Sequence, residues 1–295
     1  MDYSNLYRSC TLCSRSCGID RTAGEVGFCK STAIPRVSRA ALHFWEEPII
    51  SGTRGSGTIF FSGCSLGCVF CQNRKISRAA VGRKVSDREL ADIMHGLMHD
   101  GAHNINFVTP THFAPSVVNA VKIARGEGMN LPIVYNTGSY DTRDTIRLMS
   151  GTADVYLPDF KYYRNETAKK LSLATDYPQI AEAAISEMVR QHPEPVIKDG
   201  IMQSGVVVRI LLLPGHLAEA KLTVRYLYDT YGDNIYLSLM NQYTPMAGML
   251  PPLDRKVTNA EYDELCTYAE RIGVVNAFVQ EGATQSESFI PDFEV

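Results

Sequence analysis

Cys64, Cys68 and Cys71 follow one another with three and then two intervening residues. Spacing this short lets several thiolates converge on one metal centre. Three thiolates leave a tetrahedral zinc one ligand short, and no histidine lies between His43 and His95 to complete the set locally. Three cysteines on a four-iron cluster leave one iron open to a small molecule. An iron–sulfur cluster is therefore the favoured interpretation, and a zinc knuckle with a distant fourth ligand is the alternative.

Four earlier cysteines give a complete thiolate set: Cys10, Cys13, Cys17 and Cys29. Closed sites of four cysteines are most often structural zinc, which would stabilise a segment too short and polar to fold alone. An auxiliary iron–sulfur cluster is the alternative, because spacing does not separate the two metals. The eighth cysteine, Cys266, falls in the apolar stripe of a predicted helix and is expected to be a core residue.

Composition narrows the class of protein. The 295 residues include 29 Lys and Arg against 32 Asp and Glu, and the net charge of -3 gives no footprint for nucleic acid or an anionic membrane. The first twenty residues lack the apolar core of a signal peptide, and the longest apolar runs are too short to span a bilayer. We therefore expect a soluble, cytoplasmic protein whose clustered cysteines bind metal instead of forming disulfides.

The elements that must position these cysteines begin after residue 57. Short apolar runs occur at 58–61, 104–108, 132–135, 153–157, 206–213, 235–239 and 274–279. Runs that are apolar throughout are typical of a parallel sheet covered on both faces. Capping boxes at Ser86 with Glu89 and at Thr258 with Glu261 begin two helices, and other helices are predicted at 115–125, 142–149, 178–191 and 217–231. This alternation, repeated about six times, predicts an α/β fold, a partial (β/α)6 TIM-like barrel.

Two domains are expected. Gly52, Gly55 and Gly57 precede the first strand, whereas a phosphate-binding glycine turn follows a strand, so they are interpreted as a flexible joint. Residues 1–57 are then a small Cys-rich metal-binding arm with its joint, and residues 58–295 are the barrel domain.

Polar residues stand at the ends of the predicted strands, where the loops of a barrel build its active site. After the loop of Cys64 the candidates for binding a cofactor are Thr109, Thr111, His112, Asn136, Thr137, Asp159, Lys161, Arg209, Asn241 and Gln242. Arg209 interrupts an apolar strand and is either a ligand for a carboxylate or a paired structural residue.

The three-cysteine loop, with Phe70 directly before its third cysteine, resembles the cluster motif of the radical S-adenosylmethionine (SAM) superfamily. From about residue 50 to residue 245 the chain is similar to the pyruvate formate-lyase-activating-enzyme branch, and within it to a subfamily with an N-terminal cysteine motif. The resemblance implies a [4Fe-4S] cluster on Cys64, Cys68 and Cys71, SAM chelated to the fourth iron, and Phe70 beside the cofactor. It also implies a flavodoxin- or ferredoxin-like electron donor and a 5′-deoxyadenosyl radical that abstracts hydrogen.

The chain departs from that family after the second strand. Most relatives carry a Gly-Gly-Glu type turn there, which holds the methionine amino group, so Thr109, Thr111 or His112 is expected to replace it. In the activating enzymes an Asp-x-Lys at the fourth strand end lies beside the methionine end of SAM, which here implies Asp159 and Lys161. An acidic residue and a Thr after the third strand can hold a monovalent cation, and here Asn136 with Thr137 takes their place. Arg209 and Asn241 are candidates for the carboxylate and ribose of SAM.

Three functions follow from these residues. The branch resemblance favours an enzyme that installs a glycyl radical on a partner enzyme. The N-terminal position of the extra cysteines leaves open the radical modification of a small metabolite or peptide. A zinc-binding interaction module without catalysis is the alternative from another class.

Overall fold

The computed structural model describes Tyr3 and residues 5–280. Within these residues the strands are β1 (Arg36–His43), β2 (Ser56–Phe61), β3 (Arg83–Lys84), β4 (Ile105–Val108), β5 (Ile133–Thr137), β6 (Val155–Pro158), β7 (Val196–Lys198), β8 (Ile201–Leu211), β9 (Tyr236–Met240) and β10 (Ala277–Val279). The helices are α1 (Asn5–Arg8), α2 (Pro48–Ser51), α3 (Arg74–Ser77), α4 (Asp87–His99), α5 (Ala114–Gly126), α6 (Arg143–Leu148), α7 (Asn165–Ser172), α8 (Tyr177–Gln191), α9 (Leu217–Tyr231) and α10 (Asn259–Arg271).

The strands form one mostly parallel sheet in the order β10-β9-β8-β6-β5-β4-β2-β1-β3, with β7 paired to β8. The strands from β2 to β10 on this path run parallel to their neighbours, and β1 and β3 add an antiparallel edge. Helices lie between successive parallel strands, as the right-handed crossover of a (β/α) unit requires. The predicted fold class, an α/β partial TIM-like barrel, is confirmed.

Local signals fix the starts of the long outer helices. At the start of α4, the Ser86 side chain accepts from the Glu89 backbone and the Glu89 carboxylate accepts from the Ser86 backbone, which is the predicted capping box. Thr258 and Glu261 make the same pair of bonds at the start of α10. No helix of the described residues has the length and apolar character needed to cross a bilayer.

The segment before β2 is built into the barrel. Strand β1 runs antiparallel to β2, with Leu42 opposite Gly57. Ile50 of α2 is fully buried in an apolar cluster with the inward-facing Val155 and Val207. The expectation of a flexible joint is wrong for Gly57, because it lies within β2, where a side chain would come within 2.9 Å of the Asn104 carbonyl oxygen. The division into an arm and a barrel at residue 57 stays a prediction.

The N-terminal segment packs on the carboxyl side of the barrel. Cys13 forms a backbone bridge with Asp141 in the loop after β5. The Thr145 hydroxyl donates to the Leu12 carbonyl oxygen at 2.7 Å, and the Tyr7 hydroxyl lies 3.1 Å from the hydroxyl of Ser116 in α5. The arm is therefore attached beside the strand ends that the sequence analysis assigns to the site.

Candidate active site

A cavity of about 300 Å³ opens at the carboxyl ends of the parallel strands. Its lining includes Cys64, Cys68 and Cys71, together with nine of the residues predicted to bind the cofactor: Phe70, Thr109, Thr111, Asn136, Thr137, Asp159, Lys161, Arg209 and Gln242. The fold thus brings together residues from six separate strand ends. Convergence of this kind is what the carboxyl face of a β/α barrel provides.

The loop of the three cysteines leaves β2 through two tightly constrained glycines. Gly63 has a φ of 88°, and a side chain on it would come 2.4 Å from the Cys29 carbonyl oxygen. Gly67 has a φ of 63°, and a side chain there would meet the guanidinium of Arg78. Both positions require glycine because φ is in the left-handed region and space is short. The conformation of the loop therefore depends on Gly63 and Gly67 as well as on the cysteines.

The three cysteines line one cavity, with Cys68 buried and Cys64 and Cys71 partly buried. The Ser172 hydroxyl donates to the Cys68 sulfur at 3.0 Å, and the Ser77 hydroxyl donates to the Cys71 sulfur at 3.4 Å. Burial, reinforced by the neighbouring thiols, raises the pKa of Cys64 to about 12, and burial also raises the pKa of Cys71.

The raised pKa of Cys64 and Cys71 favours the protonated thiol at these two positions, and a metal that binds there replaces the proton. Three cysteines on one loop beside a cavity, two of them accepting hydrogen bonds at sulfur, are the type of ligand that an iron–sulfur cluster needs. Among the described residues no three His, Cys, Asp or Glu side chains stand in metal-ligand geometry, so ligation by either cysteine set stays a prediction.

Asp159 and Lys161 form an ion pair on the cavity wall. The Lys161 ammonium lies 2.6 Å from the Asp159 carboxylate. Burial alone would lower the pKa of Lys161, but the Asp159 carboxylate and the nearby Cys68 raise it above its ordinary value. Phe160, between them, is buried and packs against Tyr226 with ring centroids 5.8 Å apart. Strand alternation thus holds a fixed cation toward the cysteine loop.

Thr111 and Thr137 belong to a buried hydroxyl network. The Thr137 hydroxyl donates to one carboxylate oxygen of Asp141 at 2.5 Å, and the Tyr135 hydroxyl donates to the other at 2.8 Å. The hydroxyls of Thr111 and Thr137 are 3.3 Å apart. Burial raises the pKa of Asp141. The network fixes both threonine side chains at the cavity wall, where they can meet polar groups of a ligand.

Thr109 adopts a backbone conformation that favours glycine. Its φ is 57°, and its backbone N–H donates to the Asn136 carbonyl oxygen at 2.9 Å. A side chain in the left-handed region costs about 1–2 kcal/mol. Thr109 stands where the relatives are expected to carry their Gly-Gly-Glu type turn. This chain has the left-handed backbone conformation at that position with a threonine in place of a glycine.

Two predicted residues of the described chain point away from the cavity. His112 lies in a 3-10 turn, where each residue is rotated by about a third of a turn from the last, so Thr111 faces the cavity and His112 does not. Its imidazole donates to the Ser62 carbonyl oxygen at 2.8 Å, and burial, with Arg21 nearby, lowers its pKa to about 3. Asn241 is also outside the lining, because strand alternation turns its neighbour Gln242 inward instead.

The guanidinium of Arg209 is engaged by two carboxylates. It makes a bidentate pair with Glu47, with both N–O distances 2.8 Å, and an ion pair with Glu46. Asn106 donates to Glu46 at 2.9 Å. Burial opposes charge on Arg209, but both carboxylates raise its pKa, and Arg209 in turn lowers the pKa of Glu47. From the sequence, Arg209 is either a ligand for a carboxylate or a paired structural residue. In the structure it is paired, with Glu46 and Glu47.

Glu46 and Glu47 are lining residues that the sequence analysis missed. They come from the segment between β1 and α2, which the prediction assigned to an arm. The available signal was two adjacent acids directly before a proline at a helix start. Trp45, beside them, also lines the cavity and is 61% exposed.

The N-terminal cysteines lie in one neighbourhood. Cys10, Cys13 and Cys29 are buried, and Cys17 is exposed. Burial, followed by the effects of Cys29, Cys10 and Cys17, raises the pKa of Cys13 to about 12. The type and number of these ligands suit a closed site of four thiolates, but no three of the described side chains stand in metal-ligand geometry, so a metal here stays a prediction.

Comparison with known proteins defines the class. The family model of the radical SAM superfamily matches residues 58–226. This chain therefore belongs to the radical SAM superfamily. It is 31% identical over 278 residues to an uncharacterized protein of Methanocaldococcus jannaschii, a match that covers 90% of this chain and 76% of the relative.

Two solved structures match this chain at low sequence identity, and the first of them has the same fold. SuiB of Streptococcus suis bound to S-adenosylmethionine matches with 10% identity and a TM-score of 0.52, over 75% of this chain and 49% of SuiB. A domain of a pyruvate-formate lyase-activating enzyme from Bacteroides vulgatus matches with 12% identity and a TM-score of 0.44, over 61% of this chain and all of that domain. The chain thus spans about half the length of SuiB.

Proposed function

We propose that this chain cleaves SAM reductively and uses the resulting radical to abstract hydrogen from a substrate. One observation carries the proposal. The cysteine loop follows the carboxyl end of β2, and its three cysteines line the same cavity as Asp159 and Lys161. A [4Fe-4S] cluster held there would supply the electron that cleaves SAM to methionine and a 5′-deoxyadenosyl radical.

The residues of the chain have separate tasks in this proposal. Lys161, held by Asp159, is a fixed cation facing the cysteine loop, and this pair would hold the methionine end of SAM. Thr111, Thr137 and Asn136 would provide polar contacts in place of the Gly-Gly-Glu turn. Phe70, which packs edge-on against Tyr162 and Tyr243, would shield the cofactor from water.

The substrate is proposed to be a protein segment, as for the glycyl radical enzymes that the branch resemblance favours. Trp45, which lines the cavity, and its sequence neighbour Phe44 support this choice, because they are 61% and 50% exposed. Exposed aromatic surface beside an active site is typical of contacts with macromolecules. A small metabolite or peptide is the second candidate, since a cavity of about 300 Å³ suits a small ligand. A flavodoxin- or ferredoxin-like protein would deliver the electron.

The function is tested with anaerobically reconstituted protein, dithionite and SAM. Replacing Cys64, Cys68 or Cys71 by Ala should reduce iron content and abolish formation of 5′-deoxyadenosine. Cys266→Ala is the matched control, because Cys266 lies in α10 away from the cavity lining, and it should behave as the wild type. Unchanged 5′-deoxyadenosine in the three variants would exclude the proposed chemistry, and a wild-type protein that binds zinc without iron would favour the interaction module. Deuterium transfer from a glycine-labelled partner enzyme into 5′-deoxyadenosine separates a protein substrate from a small metabolite.

The N-terminal set is proposed to hold a structural zinc, with an auxiliary iron–sulfur cluster as the alternative. A variant in which Cys10, Cys13, Cys17 and Cys29 are all replaced by Ser should lose about one zinc, keep its iron and unfold more readily, because metal binding is linked to folding of the segment. Loss of about half the iron would instead identify two four-iron clusters. If metal analysis finds neither change, these cysteines bind no metal.

A further inference from the structure

Arg15 lies between Cys13 and Cys17 and extends out of the N-terminal motif toward the active site. Its guanidinium stacks on the ring of Phe28 at 3.8 Å and lies 5.1 Å from the ring of Tyr140. Phe28 directly precedes Cys29, so the arginine is flanked in sequence or in space by three of the four N-terminal cysteines. The position of its head group therefore depends on how that motif is folded.

The same guanidinium holds the loop of the active-site cysteines. Its Nε donates to the Ser65 carbonyl oxygen at 2.9 Å, and its Nη2 donates to the Leu66 carbonyl oxygen at 3.3 Å. Ser65 and Leu66 directly follow Cys64. Its Nη2 and Nη1 also donate to the carbonyl oxygens of Ser172 and Leu173 at the end of α7, the former at 2.8 Å. One side chain thus bonds to four backbone carbonyls in two separate segments.

The end of α7 supplies a hydrogen bond to an active-site sulfur. The Ser172 hydroxyl donates to the Cys68 sulfur at 3.0 Å. The Tyr162 hydroxyl lies 2.6 Å from the Ser172 hydroxyl and donates to it, because the Ser172 proton is directed to sulfur. The Val69 backbone N–H donates to the Leu171 carbonyl oxygen at 2.9 Å, which completes the junction. Arg15 fixes both sides of this junction, the loop and the turn.

Backbone contacts keep the arginine at its place. The Ser14 backbone N–H donates to the Tyr140 carbonyl oxygen at 3.2 Å, and the Ser14 hydroxyl donates to Asp176 at 2.9 Å. Ser16 has a φ of 42°, which turns the chain sharply after Arg15. The Ser16 backbone N–H donates to the Cys13 carbonyl oxygen at 3.0 Å, which ties the turn to the N-terminal motif, so a change in that motif is transmitted to the guanidinium.

We propose that Arg15 is a positioning residue through which the N-terminal cysteine motif sets the reduction potential of the active-site cluster. The proposal rests on the proposed function, because it requires a cluster on Cys64, Cys68 and Cys71. Hydrogen bonds to the sulfurs and nearby positive charge stabilise the extra electron of a reduced iron–sulfur centre. Arg15 supplies a fixed charge beside the loop and orients the Ser172 hydroxyl, so its loss makes the cluster harder to reduce.

The test compares Arg15→Gln, Arg15→Lys and Ser172→Ala with the wild type as reconstituted full-length protein. Redox titration followed by electron paramagnetic resonance (EPR) gives the midpoint potential and the signal shape of the reduced cluster. Arg15→Gln should keep its iron, shift the potential to more negative values and alter the EPR signal. Arg15→Lys should recover part of the shift, because it keeps the charge but not the fork of donors. Ser172→Ala should shift the potential in the same direction, with the N-terminal motif intact.

The matched control is Arg8→Gln, an exposed arginine of the same arm, which should leave the potential unchanged. The link to the motif is tested by combining Arg15→Gln with the loss of the N-terminal metal. The two changes should not add, because they act through one side chain. If Arg15→Gln does not fold, the midpoint potentials of Ser172→Ala and Arg15→Lys test the proposal instead.

Two outcomes would overturn the proposal: a wild-type potential and EPR signal in a fully loaded Arg15→Gln, or a wild-type potential in Ser172→Ala. Full additivity would overturn the link to the motif. Absence of an iron–sulfur cluster in the wild type would instead count against the proposed function itself.

Discussion

Two sets of paired charges reach the same cavity, and the chain builds them differently. Asp159 and Lys161 are two residues apart at the end of β6, so strand alternation alone puts their side chains on one side. Arg209 meets Glu46 and Glu47, which precede it by 163 and 162 residues. The first pair is a product of local sequence, and the second depends on the tertiary fold.

Their contact with solvent also differs. The side chains of Lys161 and Asp159 are 19% and 22% exposed, whereas that of Arg209 is 11% exposed and its two carboxylate partners less. Because Asp159 and Lys161 keep some exposure to the cavity, they can bind a ligand while they stay paired with each other. Arg209, Glu46 and Glu47 are nearly enclosed, so removing one of them leaves a buried charge without its partner and greatly lowers the free energy of unfolding. We therefore expect the first pair to act on the cofactor and the second on stability.

The largest expected effect is on Arg209. Replacing it by Met leaves two buried carboxylates without their counter-charge, which should lower the free energy of unfolding by about 3–5 kcal/mol. Anaerobic urea denaturation measures the change. Arg88→Met is the control, because Arg88 pairs with Asp92 and Glu127 on the exposed surface, where solvent screens ion pairs and makes them weak. Equal losses in both variants would remove the distinction between the two sets.

A smaller effect is expected at Asp159, and on a different quantity. Asp159→Asn keeps the shape of the side chain but removes the charge that holds Lys161, so SAM binding should weaken by about 1–3 kcal/mol with little loss of stability. Equilibrium dialysis of SAM against reconstituted protein measures it. Asp154→Asn is matched, since Asp154 precedes the same strand at its opposite end and pairs with Arg125. Wild-type affinity in Asp159→Asn would show that the pair is structural.

The comparison explains how far the sequence could predict the site. Asp159, Lys161 and Thr137 were predictable because strand ends converge in a parallel barrel and side-chain alternation is local. Glu46 and Glu47 were not, because their place depends on the segment before α2 crossing the barrel, and no periodicity encodes that crossing. His112 was misplaced for a local reason, since the 3-10 turn after β4 is not visible in a polar sequence that follows a strand.

The fold divides in the same way. Apolar runs and capping boxes predicted the parallel strands and the long helices, because each is stabilised by its own residues. Strand β1 was missed, since it mixes polar and apolar residues and depends on pairing with β2. Helix α7 was missed as well, although its end carries the hydroxyl that reaches Cys68. Elements that depend on a distant partner are the ones that the sequence leaves open.

The smallest expected effect is the pH dependence of the enclosed set. Arg209 holds the pKa of Glu47 below its usual value although burial alone would raise it. As pH falls below about 5, the unfolded chain takes up the proton first, since an unperturbed Glu has a pKa of about 4.3. The stability that Glu47 contributes is thus fully present above that value and is lost as pH falls toward its folded pKa.

Urea denaturation between pH 7 and pH 4 tests this by comparing the wild type with Glu47→Gln, which cannot take up the proton. Stability should fall less steeply with decreasing pH in the variant, by at most about 1.4 kcal/mol per pH unit, the limit for one proton. Glu89→Gln controls for an exposed carboxylate, whose pKa is lowered chiefly by bonds to Ser86. Parallel pH profiles for the wild type and Glu47→Gln would mean that Glu47 has the same pKa in the folded and unfolded states. The lowering of that pKa by Arg209 would then only cancel the rise caused by burial.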